Sequence, residues 1–189
     1  MARIPLTSRP MDMVYFLFFL SHIPASLLMD LQVFYPSWFP SFIRTIPAWY
    51  INYSGDPLVA GFMGLSGKSE SWIWLKTFLF LEAFFQVPTF FLGARGLYKN
   101  NPSIYLLILI YGASTATTTL PCLTVLLSTP ISEAPVDGLV TITSEQRLML
   151  LSSYIPFFII PLTMAVDMSF RILKLVRKGA GVEVQKKRK

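Results

Sequence analysis

The chain has 189 residues, is 53% hydrophobic and carries only 14% charged residues, against roughly 25% charged in a soluble domain. That composition excludes an ordinary water-soluble domain and points to lipid as the solvent. The formal net charge of +6 sits mostly in a tail that follows the last apolar block, so nucleic-acid binding is a poor reading.

Four apolar blocks follow one another. Met13 to Met29 contains one ionisable residue, His22, and Thr77 to Ala94 contains one, Glu82. Ser103 to Leu127 and Leu148 to Val166 contain none. Each is close to the roughly 20 residues that cross a bilayer as a helix, which predicts an all-α, four-span membrane bundle. The first block could pass for a signal peptide. Its long apolar core, the missing A-x-A pattern and Asp12 in its approach argue that it is retained. Proline falls within every span, at Pro24, Pro88, Pro121, Pro156 and Pro161. Kinks are expected at these positions, and kinked helices splay more readily around a cavity than straight ones.

The connections set the orientation. Arg3 and Arg9 precede the first span, Arg95 and Lys99 lie in the second connection, and the tail after the fourth span holds Arg171, Lys174, Arg177, Lys178 and Lys186 to Lys189 against Asp167 and Glu183. The connection Leu31–Ser71 balances Arg44 and Lys68 against Asp56 and Glu70, and Ser128–Arg147 sets Arg147 against Glu133, Asp137 and Glu145. All basic segments fall on one side, so both termini are expected in the cytosol. The ending "KKRK" resembles a cytosolic dilysine retrieval signal, with Lys186 and Lys187 in register. The first lumenal connection, "YPSWFPSFIRTIPAWYINYSGDPLVAG", alternates prolines with aromatics. It reads either as an aromatic belt at the headgroup level or as short helices forming a lid. Asn52-Tyr53-Ser54 is a glycosylation sequon whose aromatic, membrane-proximal setting argues against use.

Ionisable groups inside a membrane are expensive and usually functional. At about 1.5 Å per residue, Asp30 lies about 25 Å along a first helix that starts near Met13. Glu82 lies about 12 Å into a second helix entering from the lumen near Trp74. Both acids then occupy the lumenal half and can converge, with Gln86 one turn beyond Glu82 on the same face as its expected hydrogen-bond partner. Close carboxyls in low dielectric do not both ionise easily. The deeper Glu82 is expected to keep its proton and donate to Asp30. Such a dyad suits an apolar ligand bearing an amine or hydroxyl. His22 is two turns below Asp30 and reads as a hydrogen-bonded wall residue. In the third helix, Gly112 and Ala116 have the small-xxx-small spacing of close helix contact. Tyr111 and Thr118 share a face that can line a cavity. Cys122 is alone, and phosphate loops and metal clusters are missing, so no cofactor is expected.

The segments "YFLFFLSHIPASLLMDLQ", "WYINYSGDPL", "WLKTFLFLEAFFQVPTFF" and "SSYIPFFIIP" resemble the sigma-2 receptor branch of EXPERA-domain membrane proteins. Within it they are similar to the fungal group also named efficient mitochondria targeting-associated proteins. The resemblance runs from about Met11 to Phe170. It implies a homodimeric four-helix protein of the endoplasmic reticulum whose intramembrane pocket opens towards lipid and binds sterols, oxysterols or cationic amphiphiles. Family pocket residues fall on Asp30, expected to pair with a ligand amine, and Glu82, expected to hydrogen-bond Asp30. Others fall on His22, Met29, Tyr50, Asp56, Gln86, Tyr111, Thr118 and Tyr154. A family pocket tyrosine is replaced by Phe157. The related sterol isomerase branch carries a histidine four residues before its second-helix acid, where this chain has Phe78. The expected organisation is a cytosolic N-terminus over 1–10, a four-helix domain over 11–173 and a basic cytosolic tail over 174–189. A non-catalytic sterol or lipid receptor leads. A Δ8–Δ7 isomerase and an adaptor in the clearance of mistargeted mitochondrial precursors are the alternatives.

Overall fold

A computed structural model describes the backbone of residues 4–65, 69–134 and 139–187, with side chains described as far as Gly181 apart from Ser69. The retrieval pair Lys186 and Lys187 lies outside the described side chains. So do Arg3, Lys68 and Asp137 among the charges that bear on orientation. Among the described residues, four helical segments are long and apolar enough to cross a membrane: Pro10–Phe34, Glu70–Tyr98, Pro102–Ser128 and Ser144–Gly181.

The first segment is α1 (Pro10–Leu28) followed by a 3-10 turn, Asp30–Phe34. Pro10 opens α1 at a position where a missing N–H costs nothing, and Asp12 in the first turn suits the helix dipole. The connection folds as α2 (Ser41–Arg44), α3 (Ile46–Ser54) and α4 (Pro57–Phe62). The connection forms the short helices expected of it, and its aromatics divide from its buried apolar residues. Trp38, Phe42, Trp49 and Tyr53 point outward, at 64–78% exposure, while Leu58, Val59 and Phe62 are buried against the bundle.

α3 also bears on the sequon. Gly55, in the left-handed region at φ 66°, ends the helix. Ser54 is fully buried; its hydroxyl donates to the Tyr50 carbonyl at 2.8 Å and accepts from the Asp56 N–H at 3.2 Å. A hydroxyl so committed inside a helix is a poor partner for glycan transfer. Asn52 is expected to stay unmodified, seen as unchanged gel mobility after endoglycosidase treatment of protein expressed in eukaryotic cells.

The second segment is a 3-10 turn (Ser69–Trp72), α5 (Ile73–Leu81), a π-turn over Glu82–Gln86, and α6 (Val87–Tyr98). Pro88 explains the π-turn. It cannot donate to the carbonyl one turn back, and the turn before it widens so that Val87 N–H reaches Glu82 O. The kink expected at Pro88 is thus realised as a π-turn carrying both Glu82 and Gln86, a geometry frequent at functional sites.

The third and fourth segments are α7 (Tyr105–Ser128) and α8 (Ser144–Lys187). A capping box starts α8: Gln146 N–H donates to Thr143 Oγ1 at 3.1 Å, and Thr143 N–H to Gln146 Oε1 at 2.9 Å. α7 and α8 approach closely at Gly112, where an added Cβ would lie 2.5 Å from the Pro161 carbonyl oxygen and 2.9 Å from Ala165 N. This is the packing expected from the Gly112/Ala116 spacing. Backbone cannot rotate aside, so Gly112→Ala is expected to cost roughly 1–3 kcal/mol by overpacking, against a propensity gain of about 1 kcal/mol. The net loss should appear as a lower thermal midpoint in detergent.

Two apolar clusters fill the bundle. Tyr15, Phe19, Phe90, Tyr111 and Met164 pack at the end bearing the termini. Leu58, Phe62, Leu75, Leu126 and Leu150 pack under α3 and α4. Continuous helix carries α8 across the 173/174 boundary expected between bundle and tail.

Candidate functional site

A cavity of about 320 Å³ lies among the helices on the α3–α4 side. Its walls are largely apolar, with Leu58, Val59, Phe62, Leu75, Phe78, Leu79 and Phe157 among them. Asp30 and Glu82 both line it, as do His22, Met29, Tyr50, Gln86, Thr118 and Tyr154. Thus most of the site residues expected from sequence converge on one space. Tyr111 and Asp56 do not line it; they stand behind residues that do.

Asp30 sits where α1 gives way to the 3-10 turn, just after Met29 departs from helical dihedrals (φ −121°, ψ −69°). It is half-buried. Glu82 starts the π-turn and is buried. Its hydrogen-bond partner is Ser26, whose hydroxyl donates to the carboxylate. The expected bond from Glu82 to Asp30 is not formed. Ser26 reaches Glu82 because it is fully buried on the α1 face that carries His22 and Asp30, four residues from each. That spacing was the available signal, and Ser26 was missed because a serine in a membrane helix usually bonds its own backbone. Gln86 is likewise taken up elsewhere: Thr115 donates to its Oε1 at 3.1 Å, while the residue still lines the cavity.

His22 is held among rings. Phe90 stacks on it at 4.5 Å, Phe157 meets it edge-on at 4.5 Å, and Phe18 does so at 5.2 Å. Its Nδ1 lies 3.4 Å from the Tyr111 hydroxyl. Tyr111 therefore acts through His22 rather than by touching the cavity. Asp56 plays a similar part at the other end. It is fully buried and caps α4, accepting from Leu58 N–H at 2.9 Å and Val59 N–H at 3.2 Å. It also accepts from the hydroxyls of Tyr50 at 3.2 Å and Tyr154 at 2.8 Å, both of which line the cavity. Burial pushes the Asp56 carboxyl up from its ordinary value, and these four hydrogen bonds oppose the rise. The carboxyl thus ties α3, α4 and α8 together and aims two tyrosines.

A second polar cluster occupies the opposite end, where the sequence reading saw only charges that set orientation. Asp12, 2% exposed, pairs with Arg9 one turn away and with Arg171 at 2.5 Å. Arg171 also pairs with Asp167 at 2.7 Å and lies over the Tyr105 ring at 5.4 Å. The Tyr15 hydroxyl donates to Asp167 at 3.2 Å, and Arg9 to the Leu97 carbonyl at 2.8 Å. Among the described residues no cluster of His, Cys, Asp and Glu is placed to hold a metal ion.

The profile of the EXPERA (EXPanded EBP superfamily) family matches residues 42–168. The chain belongs to the EXPERA family. Sigma intracellular receptor 2 of Homo sapiens is 34% identical over 167 residues, covering 87% of this chain and 90% of that protein. Efficient mitochondria targeting-associated protein 19 of Schizosaccharomyces pombe is 32% identical over 178 residues, covering 91% and 82%. Its counterpart in Saccharomyces cerevisiae is 31% identical over 157 residues, covering 78% and 91%. Resemblance to the sigma-2 branch, first seen in short segments, therefore extends over most of the chain. Four membrane-capable helices and this membership identify a multi-pass membrane protein of the sigma-2 and fungal targeting-associated group.

Proposed function

We propose that this EXPERA protein is a non-catalytic, receptor-like binder of a sterol or of an apolar ligand bearing an amine, held in the acid-lined cavity. The observation that carries the reading is the opening of Asp30 and Glu82 onto one largely apolar space. A volume of about 320 Å³ falls within the range of small-ligand sites. Ser26 occupies Glu82, which leaves Asp30 as the anchor for a ligand cation or hydroxyl. Relatives named as an intracellular receptor support the class. By the same reading the protein resides in the endoplasmic reticulum as a homodimer, with both termini and the dilysine ending in the cytosol.

The test is lipid mass spectrometry of the full chain purified in mild detergent. A sterol is expected to co-purify at near-stoichiometric amount and to be displaced by a cationic amphiphile. Absence of sterol together with no binding of the amphiphile rejects the reading.

The name of the fungal relatives supports a second reading, an adaptor for mistargeted mitochondrial precursors. Cavity variants that keep the cellular phenotype, with tail deletions that lose it, would favour that reading. For the isomerase alternative, Phe78 lines the cavity at the position where that branch places a histidine. No conversion of a Δ8-sterol by the purified protein is expected.

A further inference from the structure

The terminal end of the bundle carries more positive charge than its own acids neutralise. Among the described residues both acids there are consumed: Asp12 by Arg9 and Arg171, and Asp167 by Arg171. One helical turn further along α8 stand Lys174, Arg177 and Lys178, exposed and without an ion-pair partner among the described residues. Their spacing of three and four residues puts all three on one side of the helix. Ile172, Leu173, Val176 and Ala180 share another side by the same periodicity. Leu173 and Val176 are 41% and 62% exposed. This is an amphipathic segment with a cationic face, continuous with a membrane span.

Depth decides what the cationic face meets. The paired Arg171 marks the polar edge of the bundle. Lys174 to Lys178 lie three to seven residues beyond it, about 4.5 to 10.5 Å along the helix. The headgroup layer beyond the hydrocarbon is about 5–8 Å thick on each side. The three cations therefore fall at phosphate depth, and Leu173, about 3 Å beyond Arg171, lies on their hydrocarbon side at the acyl boundary.

We propose that Lys174, Arg177 and Lys178, with Leu173, form a binding site for anionic phospholipid, in which the cations contact headgroup phosphate and the Leu173 side chain contacts the upper acyl chain. The site is separate from the acid-lined cavity and does not depend on what that cavity binds. Each basic residue near an anionic surface contributes about fivefold to its occupancy, so three give on the order of 100-fold.

The experiment is native mass spectrometry of the delipidated full chain in detergent, titrated with phosphatidylserine or phosphatidylcholine of matched acyl chains. The first phosphatidylserine is expected to bind at least about 10-fold tighter than phosphatidylcholine. That preference should fall towards unity in K174Q/R177Q/K178Q and persist in the charge-conserving K174R/K178R. Thermal midpoints of the variants monitor folding. The three positions are exposed and form no ion pair among the described residues, so the midpoints should not move. A wild-type preference near unity overturns the proposal, as does an unchanged preference in the triple Gln variant. Competition by inorganic phosphate equal to that by the lipid overturns the assignment to a headgroup.

Discussion

Asp30→Asn protein is expected to lose about 100-fold in affinity for a cationic amphiphile while keeping its thermal midpoint. Removing one member of a desolvated charge pair typically costs 2–5 kcal/mol, and each 1.4 kcal/mol is tenfold. The substitution keeps size and one carbonyl acceptor, so packing at the end of α1 is preserved and the loss isolates the charge. Asp30 is also only half-buried, which spares the fold a stranded polar group. Glu82→Gln is a different change. The Gln carbonyl can still accept from Ser26, so affinity should fall about tenfold or less. Ser26→Ala removes the donor that occupies Glu82 and leaves two carboxyls competing for charge in one low-dielectric space. Its signature should be an altered pH dependence of amine binding rather than a loss at one pH. Radioligand competition on the purified variants reads all three. Equal affinity in wild type and Asp30→Asn would remove Asp30 as the anchor.

The span count, the prolines and the convergence of Asp30 with Glu82 on one cavity were legible in the sequence, because hydrocarbon imposes one dominant rule. Every charge within it needs a reason. The details that escaped are those in which local chemistry competes among several acceptable partners. Glu82 found Ser26 rather than Asp30, and Gln86 found Thr115 rather than Glu82. The π-turn rotates Glu82 and Gln86 relative to a regular helix, and a register counted at 3.6 residues per turn cannot anticipate that. Asp56 is a different case. Its place before Pro57 is readable as a helix cap, but its two tyrosine partners lie 6 and 98 residues away, beyond any local pattern. The resemblance had assigned Asp56 and Tyr111 to the pocket. The structure separates residues that touch the cavity from those that orient them.

Asp12→Asn is expected to destabilise the bundle most, lowering the thermal midpoint by about 10 °C. Asp12 is 2% exposed and is shared by two arginines, so its neutralisation strands positive charge at a closed helix junction. Breaking a buried pair by removing one partner costs about 3–5 kcal/mol, and each kcal/mol moves the midpoint by about 2–4 °C in a chain of this length. Arg171 and Arg9 are more accessible, at 24% and 13% of the side chain, and water recovers part of their solvation. Arg171→Met should therefore cost less, because Asp12 keeps Arg9 and Asp167 is itself 28% exposed. The decisive variant is the double one. If the damage in Asp12→Asn comes from stranded charge, Asp12→Asn with Arg171→Met should be more stable than Asp12→Asn alone, a coupling of roughly 0.5–3 kcal/mol. Strict additivity of the two losses would mean that the helices meet at this end by packing, with the ion pairs carried along.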